Sequence, residues 1–179
     1  MKTSDLIITG CLLIVLAGSF FGFAFWRSQK TFKDDLTTAT HLKNAIESYI
    51  LEYRKAPWTI GIQQSDVEFS SDLEFMNCVS GGEGESAAIQ NPQGIVFFYR
   101  YPGSRDRRAY MRDAELQLLA NDLRDSYGKH YQIRIDANGD GKVANPTTKE
   151  LIEEQVLIWS AGKDGNFETW QDNVASWNL

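Results

Sequence analysis

The chain is poor in the residues that carry most recognisable chemistry. It has two histidines and two cysteines in 179 residues. Two cysteines cannot build a disulfide scaffold. Cys11 sits in an apolar run and Cys78 far along the chain, so no bridge between them is expected. His41 lies on an apolar helical stripe and His130 beside a strand-like segment, and neither has an adjacent His or Cys at zinc-ligand spacing. A G-x-S-x-G elbow and a Gly-rich phosphate loop are both missing. These absences speak against an enzyme. Cationic excess is missing too: 18 Lys and Arg stand against 24 Asp and Glu, for a net charge of -6. Nucleic acid is therefore not an expected partner, because phosphate binding needs a cationic face. What is present is 42% hydrophobic, 12% aromatic and 23% charged. That balance excludes a disordered or collagen-like chain and permits one ordinary domain with some chain left over.

The mean hydropathy of -0.35 conceals a division between a greasy start and a polar remainder. Leu6 to Trp26 is a run of 21 residues without a charge. At roughly 1.5 Å of rise per residue, a helix of that length crosses about 30 Å of hydrocarbon. The run is longer than the apolar part of a usual signal peptide, and no A-x-A site closes it. Ile8-Thr9-Gly10-Cys11 has the local look of a lipidation box, but most of the apolar segment follows the cysteine instead of preceding it. An uncleaved membrane anchor over 6–26 is the expectation, with 1–5 as its cytoplasmic end or processed start. Lys2 precedes the run and Arg27, Lys30 and Lys33 follow it, so positive charge sets the orientation only weakly. No second span follows, which puts the whole polar domain on one side.

Beyond the anchor, Phe32, Leu36, Ala39, Leu42, Ala45, Ile46, Tyr49, Ile50 and Tyr53 recur at steps of three and four, the stripe of an amphipathic helix. No Gly or Pro occurs between Trp26 and Pro57, so nothing requires a break. Pro57 disfavours helix at Ala56 and supplies the stop. The pattern predicts one helix from about Ser4 to Lys55, with 27–55 its amphipathic continuation. The alternative is an anchor and a separate helix joined near Arg27 to Lys30.

Residues 56–179 read as a head of another kind. Ile60 to Phe69 fits a strand or a loop, and Ser80 to Ser86 reads as a flexible polar loop. Ile95 to Tyr101 is rich in β-branched and aromatic residues and predicts a strand ended by Pro102-Gly103. Asp113 to Arg124 predicts a short amphipathic helix, Tyr131 to Ile135 a strand, and Val156 to Trp159 a buried strand. A long helix packed on a small antiparallel sheet is an α+β arrangement.

Two acidic stretches invite a cation. Asp136-Ala-Asn138-Gly-Asp140-Gly141 matches the first half of a calcium loop, with alternating oxygens and a glycine for the sharp turn. Its twelfth position is Thr147, where a bidentate glutamate is needed, so a polar hairpin turn is the favoured reading. The second stretch is the tail, Ser160 to Trp177. From Asp136 onward eight acidic residues face three lysines, which concentrates nearly all the net negative charge in this region. Carboxylates folded close together repel unless a cation or solvent screens them; the tail is either a cation site or a solvated acidic loop. Arg100, Arg105, Arg107, Arg108 and Arg112 form a basic run, read as a solvated loop or as a surface complementary to the acidic tail of a neighbouring copy.

Three motifs carry a resemblance. Ala45 to Pro57 is similar to the end of the long helix in type IV pilin-like proteins, and closest to the major pseudopilins of type II secretion systems. Asp125-Ser-Tyr127-Gly128-Lys-His-Tyr131 resembles that family's D-x-W-G-x-x-Y pattern, with Tyr in place of Trp. Ser160-Ala-Gly162-Lys-Asp164-Gly165 and Asp172-Asn-Val-Ala-Ser-Trp177 resemble its S-x-G-x-D-G and D-I-x-x-W ending. The matches fall in family order along nearly the whole chain.

The resemblance implies a pilin-like subunit: an N-terminal helix anchored in the bacterial inner membrane and a sheet-bearing head in the periplasm. Family members pack their helices into a helical pseudopilus that drives protein export, so the implied partners are other copies of this chain, other pseudopilins and secretion-system subunits. The resemblance also implies calcium in the C-terminal loop, held by Asp164, the carbonyl of Ala161, and an oxygen from Asp172 or Asn173. Asn173 stands where the family has Asp before its Ile. The family's leader, a Gly before Phe-Thr-Leu-Ile-Glu, has no counterpart in this sequence. Counting back from Tyr49 and Pro57 sets Met1 near a processed start and Asp5 near the family's helix glutamate, which pairs with a neighbour's amino terminus. An upstream start, unprocessed insertion, or departure from the filament role would each account for this. Leu12 and Leu16 then lie where neighbouring helices would pack. The competing reading is a stand-alone single-span membrane protein whose extracytoplasmic head binds calcium or a partner.

Overall fold

The computed structural model describes residues 29–57, 65–99 and 122–177. The expected anchor at 6–26, with Asp5, Leu12 and Leu16, the basic run from Arg100 to Arg112, and most of the expected helix from Asp113 lie outside the described residues. Among the described residues no helix is long and apolar enough to cross a membrane. The chain divides into two compact units, Met1–Asp34 and Asp35–Leu179. The second holds an α+β fold.

Residues 29–53 are helical (α1). From Asp35 onward its buried positions are Ala39, Leu42, Ala45, Ile46 and Tyr49, as the apolar stripe predicts. The helix stops at residue 53, two residues short of the expected end. Arg54 turns left-handed at φ 53° while its N–H still donates to the Ile50 carbonyl at 2.8 Å, so the last turn is closed before Pro57 can act.

Seven short elements follow: β1 (Val67–Ser70), α2 (Leu73–Ser80), α3 (Glu85–Gln90), β2 (Gln132–Ile135), β3 (Val143–Ala144), β4 (Leu151–Ile152) and β5 (Val156–Trp159). One antiparallel sheet has the order β1-β2-β5, and β3 and β4 form a separate antiparallel pair. The expected strands at Tyr131–Ile135 and Val156–Trp159 are β2 and β5, paired with Ile133 opposite Ile158.

All four residues of β5 are buried, and they belong alternately to two clusters. Val156 and Ile158 join α1, α2 and β2 in the main core with Leu42, Ile46, Phe75 and Ile133. Leu157 and Trp159 belong to a second cluster with Val143, Phe167, Trp170 and Trp177. The period-two geometry of a strand explains why an unbroken apolar run is needed here: each face is covered by its own layer.

Three expectations are corrected. Ser80 to Ser86 is not one loop, because Ser80 closes α2 and Glu85 opens α3. Gly81 makes the stop, left-handed at φ 65°, with its N–H bonded to the Asn77 carbonyl; a Cβ there would lie 2.6 Å from the Gly94 carbonyl oxygen. Residues 95–99 do not join a sheet among the described residues. The amides of Phe97 and Phe98 instead both reach the Val79 carbonyl at 2.9 Å, at the end of α2. Asn91 fixes this segment by donating to the carbonyls of Cys78 and Ile95 and accepting from the Ile95 amide. Finally, Asp122 to Arg124 is not helical: Leu123 is buried in the main core, and Arg124 bridges to His130.

Candidate functional site

The tail returns beside β5 and closes a loop over residues 160–174. Trp159 bridges to Ala175, Ser160 N–H donates to the Val174 carbonyl, and Ser176 N–H donates to the Ile158 carbonyl. The buried Ser160 hydroxyl accepts from the amides of Gly162 (3.3 Å) and Val174 (3.1 Å), tying the two ends of the loop together.

Inside the loop, carboxylates meet backbone amides. Asp172 Oδ2 accepts from Lys163 N–H at 2.7 Å and Asp164 N–H at 3.1 Å. Asp164 accepts from Asn166 N–H at 2.8 Å and from the Thr169 hydroxyl. The Thr169 hydrogen bond, then that from Asn166, holds the Asp164 carboxyl below its usual range. Asn166 Oδ1 accepts from Glu168 N–H, and Asn173 Nδ2 donates to the Asn166 carbonyl at 3.2 Å.

One atom is left over. Asn173 is only 7% exposed, and its Oδ1 is enclosed without a hydrogen-bond partner. An amide oxygen buried in this way costs about 1–3 kcal/mol. Gly162 sits against it with φ 63°; a Cβ there would come within 2.7 Å of the Asp172 carbonyl oxygen and 2.8 Å of Asn173 Oδ1. The loop thus brings a main-chain oxygen and an amide oxygen to one point beside a glycine, with the Asp172 carboxylate held by the amides of Lys163 and Asp164. Neutral and anionic oxygens in this mixture suit a hard divalent cation, and an unsatisfied buried oxygen is what such an ion would complete.

Of the implied ligand set, Asp172 and Asn173 are adjacent to the Gly162 position, and Ala161 is fully buried one residue before it. The Asp164 carboxylate is turned to its own loop through Asn166 and Thr169. Among the described residues no three His, Cys, Asp or Glu side chains are grouped so as to hold a metal; a site here would depend on amide and carbonyl oxygens.

The Asp136–Gly141 segment is a turn, as favoured, but not a hairpin. It leaves β2, which pairs with β1 and β5, and enters β3, which pairs with β4. Asp136 accepts from the amides of Gly139 and Gly141, Asn138 from Asp140 N–H, and Asp140 from Lys142 N–H. Its oxygens serve the loop's own backbone. Sequence reasoning missed Asp66, whose carboxyl burial raises above its usual range against a hydrogen bond from Ala144, with the charges of Asp136 and Asp140 adding to the rise. Only the sheet register, which pairs Val67 with Ile135, brings Asp66 to this loop.

The Asp125–Tyr131 motif is a tight turn feeding β2. Asp125 Oδ1 accepts from the amides of Tyr127 and Lys129 at 2.9 Å, Gly128 is left-handed at φ 89°, and Tyr131 is fully buried. His130 Nε2 meets Asp122, which Arg124 also reaches at 2.7 Å, while His41 is exposed on α1. Cys78 is a free buried thiol, pushed up to about 11 by burial against a hydrogen bond from Tyr49. Compared with protein-family models, curated proteins and solved structures, the chain matches none.

Proposed function

We propose that this chain is a structural subunit of a type II secretion pseudopilus or a type IV pilus-like filament, anchored in the bacterial inner membrane by residues 6–26 with its head in the periplasm. The observation that carries the reading is one long helix face, Ala39 through Tyr49, buried in the same core as an antiparallel sheet. That is the head expected of the resembling family, and it comes after an uncharged run long enough to cross a bilayer. Such helices associate by close packing in lipid, so other copies of this chain and related secretion-system subunits are the partners. In the same reading the 160–174 loop holds calcium through Asn173, Asp172, Asp164 and the Ala161 carbonyl. The ion would supply charge neutralisation for an acidic tail and fix the loop against β5. No bond-breaking chemistry is required of it.

Single cysteines at Leu12 or Leu16, oxidised in native membranes in a background lacking the chain's own cysteines, test the assembly. A filament subunit gives ladders of homo-oligomers. Monomers at both positions would instead leave the stand-alone membrane protein.

A further inference from the structure

The tightest concentration of buried charge in the described head is away from the acidic tail loop. Asp35, on α1, and Asp125, in the turn that feeds β2, are each 5% exposed. They are neighbours through Ser126: Asp35 Oδ1 accepts from Ser126 N–H at 2.9 Å and from the Ser126 hydroxyl at 2.7 Å. The Tyr131 hydroxyl donates to the same oxygen at 3.2 Å. Asp125 uses Oδ1 to accept two amides, and its Oδ2 is enclosed with no partner. Two carboxylates this close and this dry cannot both be ionised without a large penalty. A proton between them removes the repulsion and gives the orphaned oxygen a donor.

We propose that Asp35 and Asp125 share one proton, forming a proton-linked clasp that fastens α1 to the Asp125–Tyr131 turn and loosens when that proton leaves for solvent. In the protonated clasp the Asp35 carboxyl donates to Asp125 Oδ2, while Asp35 Oδ1 keeps its bonds from Ser126 and Tyr131. Asp125 contributes the charge, and the groups facing the pair from the turn are the Tyr127 and Tyr131 phenols; the Asp172 carboxylate of the tail also faces Tyr127. Burial raises Asp35 above the usual aspartate range; the hydrogen bonds from Ser126 oppose this, and the Asp125 charge adds to it. Both phenols are raised, first by burial and then by these carboxylates, so they stay protonated and do not neutralise the pair. A carboxyl held above its unfolded value contributes its full stability below that unfolded value. The contribution disappears as pH rises through the folded value. The clasp is therefore tight in acid and slack toward neutrality. It is independent of the filament reading, because it needs only residues within Asp35–Leu179.

The test is a carbon-13 carboxyl titration of the full chain in detergent micelles, with Asp-labelled protein. The clasp predicts that the Asp35 and Asp125 signals move together, as a coupled pair, with a step above the ordinary aspartate range. Amide exchange at Ser126 should accelerate above that step. Asp125→Asn keeps Oδ1 for the Tyr127 and Lys129 amides and puts an N–H donor where Oδ2 stands. It should shift the Asp35 step to lower pH and remove the corresponding fall in melting temperature. Asp35 titrating in the ordinary range, the two signals moving in separate steps, or an Asp35 step unmoved by Asp125→Asn would each overturn the proposal. Should that variant not fold, the wild-type titration decides alone.

Discussion

Gly162→Ala isolates the feature on which the tail loop depends. Gly162 has φ 63°, where an L side chain costs about 1–2 kcal/mol. Its new Cβ would also lie 2.7 Å from the Asp172 carbonyl oxygen and 2.8 Å from Asn173 Oδ1. Neither is the far end of a flexible chain: one is backbone, and the other belongs to a side chain fixed at the Asn166 carbonyl. Moving that backbone adds roughly 1–3 kcal/mol, as overpacking generally does, for a total of about 2–5 kcal/mol. Gly165→Ala is the matched control. Its φ is 71°, but its nearest neighbour is Lys129 Cε at 3.3 Å, a chain end that can swing away. It should lose only the conformational part, about 1–2 kcal/mol. Urea unfolding of the full chain in micelles, followed by fluorescence of Trp159, Trp170 and Trp177, reads both variants. All three tryptophans belong to the layer this loop closes. Equal losses for the two variants would refute the steric argument.

Two further predictions concern single residues. Arg54→Gly removes the left-handed strain that ends α1 and, after allowing for the extra freedom of the unfolded chain, should stabilise the protein by about 0.5–1 kcal/mol; a fall in denaturation midpoint would contradict it. Asn173→Asp replaces the orphaned amide oxygen with a carboxylate. It should lower the melting temperature in chelator and enlarge the rise produced by calcium, because ligand charge strengthens calcium sites. A variant whose melting is the same in calcium and chelator would remove the metal from this loop.

What could be seen in advance was whatever depends on neighbours along the chain. The α1 stripe was legible because Leu42, Ile46 and Tyr49 repeat at helical spacing, and β5 because Val156 to Trp159 has no polar residue. Ile95 to Tyr99 was misread for the same reason: β-branched and aromatic residues suit a strand, but Phe97 and Phe98 find their acceptor at the end of a helix. The Asp136 turn was recognisable from Asp-Gly and Asn-Gly; that it joins two sheets was not, since pairing partners come from distant residues. In the candidate site, the motif pointed to Asp164, Asp172 and Asn173. The oxygen without a partner and the glycine pressed on it arise only once the loop closes on itself. Asp35 lies 90 positions from Asp125 and 91 from Ser126, so no local pattern could connect them.

Strand β5 is a party wall between two rooms. Alternate side chains face the helix on one side and the tryptophans on the other, so dismantling either room wets half of the wall that supports the other. Hydrogen exchange should accordingly find the C-terminal aromatic layer and the α1 layer opening as a single cooperative block, and a carboxy-terminal trim ahead of Trp170 would be felt across the sheet, at Leu42 and Ile46.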